Sequence, residues 1–282
     1  MKTISDIRPS PIAGQWYSGN PQLLAKSVDG YLSAALLPEL TGQVVALIAP
    51  HAGHIYSGAV AGYAFRAVFG LKFDLVAVIS PMHQYAAPPL LTSAHQAYAT
   101  PLGVIPIDTQ AVAELNNELK DTLGFGLSQV AYDPEHSLEI ELPFLQRALK
   151  GEFKLLPVMV RDTSPETTHP LGLALAKVLR NRSALLVAST DLSHFYPENE
   201  ANRLDEAMLE QIAAFSPEGV YNTEATGKGY ACGIGAVAAV LWAARALGAD
   251  RVQVLHHATS GAVTGDFTSV VGYGAAAILK PV

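Results

Sequence analysis

Three histidines in this sequence stand two to five residues past the ends of short apolar runs. They are His51, His83 and His194. Imidazole binds zinc, iron, copper and nickel, and it also exchanges protons near neutral pH. Histidines that the fold brought together would therefore predict a metal centre, a proton-transfer site or both.

The apolar runs that precede these histidines predict buried β-strands. They are rich in Val, Ile and Leu and lack polar alternation, which is typical of strands covered on both faces. The four central runs are 44–49, 75–80, 155–160 and 184–189, and two further runs at 252–256 and 270–279 predict closing strands.

Helical patterns lie between the predicted strands, and Pro143 predicts a break within one of them. These patterns cover 59–69, 110–120, 138–149, 166–180, 202–214 and 233–247. Alternating strands and helices predict a three-layer α/β/α sandwich around a largely parallel or mixed sheet. We expect one domain over residues 1–282.

Ligands of open α/β sheets bind outside the carboxyl ends of the strands, where these histidines are expected to meet. The spacing leaves the third metal ligand open between Asp191, His194 and Cys232. Cys232 stands where the helix over 233–247 should begin, and a helix N-terminus would lower the pKa of its thiol. A buried structural cysteine is the alternative. His136 could face the same cleft, next to residues that could also cap a helix.

Composition limits the partners. The net charge is −7, with 18 Lys and Arg against 25 Asp and Glu, so no basic face for nucleic acid is expected. The apolar run at 229–244 has 16 residues, fewer than a bilayer crossing needs, so we expect no membrane association. Residues 1–14 lack the apolar stretch of a secretory leader. A single cysteine predicts a reducing compartment and thus a cytoplasmic protein.

Five blocks carry a family resemblance. They occur in family order over nearly the whole chain: 13–17 (AGQWY), 49–58 (APHAGHIYSG), 135–144 (EHSLEIELPF), 189–194 (STDLSH) and 231–233 (ACG). The sequence thereby resembles the Memo family, whose bacterial and archaeal members are called AmmeMemoRadiSam system protein B. The resemblance implies a fold shared with class III extradiol dioxygenases, which are non-haem iron enzymes.

The resemblance also implies roles for particular residues. His51, His83 and Cys232 would bind one metal ion. His194 would occupy the place of the dioxygenases' catalytic base, with Asp191 beside it. We expect Asp191 or a nearby carbonyl to orient the His194 ring. The cleft would be lined by Trp16, Tyr56 and His136.

A cysteine in place of the dioxygenases' carboxylate ligand softens the expected site. That softening shifts the preference toward Cu(I) or zinc and away from Fe(II), whereas the resemblance to the dioxygenases favours iron. The expected ion is iron or copper, with zinc as the alternative. The expected function is a metal-dependent oxidoreductase acting on a small-molecule or peptide ligand in the strand-end cleft. The alternatives are a non-catalytic metal- or peptide-binding module and a zinc-dependent hydrolase. The family name further implies a functional link to a radical-SAM protein.

Overall fold

The computed structural model describes residues 5–281, so the first four residues of segment 1–14 and residue 282 lie outside it. Within the described residues the chain forms a mixed α/β structure. Its strands are β1 (Ile7–Arg8), β2 (Gln43–Ala49), β3 (Leu75–Pro81), β4 (Leu90–Ser93), β5 (Ala97–Thr100), β6 (Gly103–Pro106), β7 (Ser128–Val130), β8 (Lys154–Val160), β9 (Ala184–Ser189), β10 (His194–Tyr196), β11 (Arg251–Thr259) and β12 (Val270–Lys280).

Helices connect these strands on both sides of the sheet. They are α1 (Pro21–Ala34), α2 (His54–Arg66), α3 (Thr109–Leu123), α4 (Leu142–Ala148), α5 (Pro165–Leu179), α6 (Glu198–Ala213), α7 (Pro217–Ala225), α8 (Ile234–Ala246) and α9 (Gly261–Thr264), with a 3-10 turn at Glu139–Glu141 directly before α4.

One nine-stranded sheet organises the molecule, in the order β10-β12-β2-β9-β3-β8-β4-β7, with β11 paired to β12. The four central strands β2, β9, β3 and β8 run parallel. The long strand β12 lies antiparallel to both β2 and β11. A separate three-stranded sheet contains β1, β5 and β6. The largely parallel or mixed sheet predicted from the sequence is confirmed.

The two faces of the central sheet belong to two apolar cores. In β3, Leu75 and Ala77 pack with α3, α5 and α8, whereas Val76 and Val78 pack with α1, α2 and α4. This alternation follows from the two-residue period of a strand. Because helices cover both faces, the strands need no polar residues, which confirms the predicted three-layer sandwich.

The four central strands lie within one residue of their predicted ends. The helix predicted over 59–69 is placed wrongly, since α2 begins at His54 and ends at Arg66. Its first turns bury small residues such as Ser57 and Gly58, which carry no apolar periodicity. The break at Pro143 is confirmed, because Pro143 lies in the first turn of α4 after the 3-10 turn.

Several short elements had no strong sequence signal. Strands β4 to β7 have only three or four residues each, and α1 buries a narrow stripe of Leu24, Val28 and Leu32. Among residues 5–281, no helix combines the length and the apolar character that crossing a bilayer requires.

Candidate functional site

The strand order places the histidine-bearing loops side by side. Strand β9 lies between β2 and β3 and runs parallel to both, with Ser189 beside Ala49 and Ala188 beside Ile79. The loops that leave the carboxyl ends of these three strands therefore emerge at one edge of the sheet.

A cavity of about 540 Å³ opens at this edge. It brings together seven of the eight residues that the sequence analysis assigned to the site, namely Trp16, His51, Tyr56, His83, His136, Asp191 and His194. The eighth, Cys232, lines an adjoining cavity of about 310 Å³ together with His194. Apolar side chains such as Phe195 and Val271 supply much of the wall of the larger cavity.

His51 is buried, and both its main chain and its ring have hydrogen-bond partners. Its main-chain N–H donates to Oδ1 of Asp191 at 2.8 Å, and its ring Nδ1 lies 2.9 Å from the hydroxyl of Ser189. The other ring nitrogen, Nε2, lies 3.1 Å from Sγ of Cys232. Burial lowers the pKa of His51 well below its usual value, so the ring is neutral at pH 7 and can act as a ligand.

Glu135 holds His83 in place. One carboxylate oxygen accepts the main-chain N–H of His83 at 2.6 Å, and the other lies 2.9 Å from Nδ1 of its ring. Burial opposes the charge on Glu135, but the hydrogen bonds from His83 and from the amide of Ser137 outweigh it and keep the pKa below its usual range. A carboxylate on Nδ1 leaves Nε2 as the ligand atom.

His136 stacks with two flat rings. Its ring centroid lies 4.0 Å from that of Trp16 and 4.9 Å from that of His83, whose plane is within 12° of parallel. Burial lowers the pKa of His136 to about 4, although the nearby Glu135 acts in the opposite direction. The ring is therefore neutral at pH 7.

The spacing of the histidines fits a metal ion. Ligand atoms of His51, His83 and His136 all lie within 4.8 Å of one another. Neutral imidazole nitrogens are ligands that suit zinc, iron and copper. The described residues can thus hold a transition-metal ion at the strand-end edge.

Cys232 adjoins this histidine group without being a member of it. Its Sγ accepts the main-chain N–H of Asp191 at 3.2 Å and faces His51. The lowered thiol pKa expected from a helix N-terminus is wrong for the metal-free protein, because burial raises the pKa of Cys232 and the carboxylate of Asp191 raises it further. The helix begins two residues later, at Ile234.

His194 takes its orientation from a main-chain oxygen. Its Nδ1 lies 2.8 Å from the carbonyl of Leu192, which leaves Nε2 as the free position of the ring. Asp191 instead accepts the main-chain N–H groups of His51 and Ala52. Burial raises the pKa of Asp191 to about 7, although those two N–H groups stabilise its anion.

Sequence reasoning does not single out three polar partners of the site. Glu135, next to His136, is one of the residues that could cap a helix, and neither Ser189 nor Glu141 has a pattern that predicts its contact. Each lies inside a block that resembles the family, but only tertiary contacts show which histidine it serves. Ser189 ends β9, and Glu141 ends the 3-10 turn before α4.

The comparisons with known proteins agree with this architecture. The family described as "Memo-like protein" matches residues 8–277. A "MEMO1 family protein" of Nitrosopumilus maritimus is 33% identical over 273 residues, which cover 95% of this chain and 98% of the relative. Another of that name, from Thermotoga neapolitana, is 35% identical over 278 residues, with the same coverage of 95% and 98%. The chain therefore belongs to the Memo family.

Proposed function

We propose that this protein is a metal-dependent oxidoreductase in which His51, His83 and Cys232 hold one ion and His194 exchanges a proton with the substrate. The observation that carries the proposal is the shared orientation of the histidines. His51 and His83 each use Nδ1 for a fixed neighbour, Ser189 or Glu135, so that Nε2 remains for a metal.

Ring geometry favours Cys232 over His136 as the third ligand. A ligand nitrogen must aim its in-plane lone pair at the ion. The rings of His83 and His136 are stacked within 12° of parallel, so one ion cannot lie in the plane of both rings. The rings of His51 and His83 meet at 81°, and Sγ of Cys232 lies 3.1 Å from Nε2 of His51.

The remaining residues of the cavity suit a bound substrate. Iron or copper at this site would supply redox chemistry. Burial lowers the pKa of His194, so its Nε2 is free to accept a proton at neutral pH. Trp16, Tyr56 and Phe195 line the cavity with aromatic surface, which favours a small molecule with a flat apolar portion.

Two predictions about the biological setting stay predictions. The cytoplasmic location rests on the single cysteine, and the functional link to a radical-SAM protein rests on the family resemblance alone.

The proposal is tested by elemental analysis of the protein purified without added metal, followed by oxygen uptake after anaerobic reconstitution with Fe(II) or Cu(I). Stoichiometric iron or copper with metal-dependent oxygen uptake would support it. Stoichiometric zinc without oxygen uptake would favour the hydrolase. A protein that takes up none of these ions would contradict the metal site and favour the binding module.

The identity of the third ligand determines how metal affinity depends on pH. Without metal, burial keeps Cys232 as a thiol, whereas the rings of His51 and His136 are already neutral at pH 7. If Cys232 binds the ion, it must lose a proton, and zinc affinity should rise about tenfold per pH unit between pH 7.5 and 8.5. Competition titrations against a chromophoric chelator measure this slope.

The matched variants are Cys232→Ser and His136→Ala. With Cys232 as ligand, Cys232→Ser should weaken zinc binding strongly and flatten the slope, and His136→Ala should retain both affinity and slope. A flat slope in the parent protein, with the affinity loss confined to His136→Ala, would assign the site to the three histidines instead.

His194 is expected to act on the substrate and not on the metal. Because Leu192 orients its ring from outside the ligand group, His194→Ala should leave zinc affinity within the same order of magnitude and abolish metal-dependent oxygen uptake. Metal content and oxygen uptake of the variant, measured side by side, check this. Loss of the metal from His194→Ala would make His194 a ligand.

A further inference from the structure

Ser189 is a buried hydroxyl with three polar neighbours. Its Oγ lies 2.6 Å from the main-chain carbonyl of Ser137, 2.8 Å from Oε1 of Glu141 and 2.9 Å from Nδ1 of His51. A hydroxyl has one proton to donate and two lone pairs with which to accept. The donor or acceptor role of each of the three neighbours can therefore be worked out from this one atom.

The carbonyl of Ser137 decides where the serine proton lies. A carbonyl can only accept, and two oxygens 2.6 Å apart with no proton between them would repel each other. Ser189 therefore donates to Ser137. Its two lone pairs then face Nδ1 of His51 and Oε1 of Glu141, and both of these atoms must be donors.

We propose that Glu141 is a neutral carboxylic acid that donates to Ser189, and that Ser189, whose proton goes to Ser137, holds His51 in the tautomer with Nδ1 protonated and Nε2 free. Ser189 is thus a positioning residue. It is not itself a ligand, but it sets which nitrogen of His51 carries a lone pair toward Cys232.

The surroundings of Glu141 fit a neutral acid. The side chain is 1% exposed, no cationic side chain among residues 5–281 pairs with it, and its Oε2 has no hydrogen-bond partner within that part of the chain. A buried carboxylate without a counter-ion is costly, whereas a protonated one is not. Burial also raises the pKa of Glu141 well above its usual value, and the carboxyl group of Asp191 raises it further.

Glu139, two residues earlier, provides the contrast. It is equally buried, yet it contacts the guanidinium of Arg8 at 2.5 Å and the hydroxyl of Tyr17 at 2.7 Å. Glu139 therefore has the charge partner that an ionised carboxylate needs. Of the two neighbouring acids on this turn, only Glu139 has a cationic side chain beside it among residues 5–281.

The tautomer matters for the proposed metal site. A proton on Nε2 of His51 would occupy the position where the ion must bind and would have to be displaced first. Only this consequence rests on the proposed function, because the protonation of Glu141 and the tautomer of His51 are measurable in the metal-free protein.

The experiment uses the whole chain with Glu141→Gln and Ser189→Ala, and with Glu139→Gln as matched control. Infrared spectra report protonated carboxyl groups, and nitrogen-15 spectra report the tautomer of His51, whose signals are assigned by their loss in His51→Ala. The parent protein should show a protonated-carboxyl band at pH 8 that Glu141→Gln removes and Glu139→Gln retains.

The tautomer is tested with Ser189→Ala. The glutamine amide still donates to Ser189, so Glu141→Gln should keep His51 protonated on Nδ1 and bind zinc with an affinity of the same order as the parent. Alanine leaves Nδ1 of His51 without its acceptor, so Ser189→Ala should give a mixture of tautomers and lose zinc affinity by about 10- to 100-fold.

Two results would overturn the proposal. One is an infrared spectrum in which Glu141→Gln removes no protonated-carboxyl band, a test that does not require Ser189→Ala to fold. The other is an unchanged His51 tautomer in a folded Ser189→Ala variant. A changed tautomer with unchanged zinc affinity would uphold the role of Ser189 and count against the metal site.

Discussion

His51→Ala is expected to abolish stoichiometric metal binding, with a loss of affinity of at least about 100-fold. Removing the outer partner of a ligand already costs about 10- to 100-fold, and His51 would itself be a ligand in either arrangement, with His83 and Cys232 or with His83 and His136. Zinc titration and metal content after anaerobic reconstitution give the measurement.

His169→Ala is the matched control for that prediction. His169 is exposed on α5, packs against Trp242 and does not line the strand-end cavity. It should bind metal like the parent protein. A folded His51→Ala variant with the parent's metal stoichiometry and affinity would contradict every proposed metal site in which His51 is a ligand.

The second large effect concerns stability, and it falls on Arg8. This side chain is 1% exposed and pairs with Asp133 at 2.8 Å and with Glu139 at 2.5 Å. Arg8→Met leaves two buried carboxylates without their cation, so the free energy of unfolding should fall by about 3–5 kcal/mol. That is a large part of the total stability of an ordinary domain. Urea denaturation of the metal-free protein measures it.

An exposed ion pair supplies the comparison for Arg8. Arg147 bonds Asp29 through two nitrogens, but the side chains are 41% and 46% exposed. Arg147→Met should therefore change the free energy of unfolding by no more than about 1 kcal/mol. Equal effects of the two substitutions would show that burial of the Arg8 cluster does not govern its contribution.

The Arg8 cluster also bears on the site. Arg8 joins the amino-terminal segment, which carries Trp16, to the segment that carries His136, and those two rings stack at 4.0 Å. Weakening the cluster should loosen this stack before it disturbs the ligands on β2 and β3. Fluorescence of Trp16 would report the loosening.

Much of the fold could be predicted from the sequence because its central strands are apolar on both faces. Every residue of the run 184–189 is either buried or small. Strand β9 ends at the same residue as this apolar run. The start of α2 could not be predicted in this way. Its first turns are buried through Ser57, Gly58 and other small side chains, so close packing against α1 replaces hydrophobic periodicity.

The candidate site, like the fold, could be predicted from the sequence only in part. The sequence alone specifies which residue types stand after the strands, and hence that His51, His83 and His194 belong to one end of the sheet. That inference needs only chain direction, because the carboxyl ends of parallel strands share an edge. The family resemblance added Trp16 and Tyr56 and singled out Cys232 among the candidate third ligands.

How each ring is held depends on tertiary contacts. The partners of His51 and His83 come from residues 138 and 52 positions further along the chain, Ser189 and Glu135. The protonation of Glu141 likewise depends on its having no cationic partner among residues 5–281, whereas Glu139 on the same turn has Arg8. Tautomers and charge states are properties of distances between remote groups and of their access to water, and local sequence encodes neither of these directly.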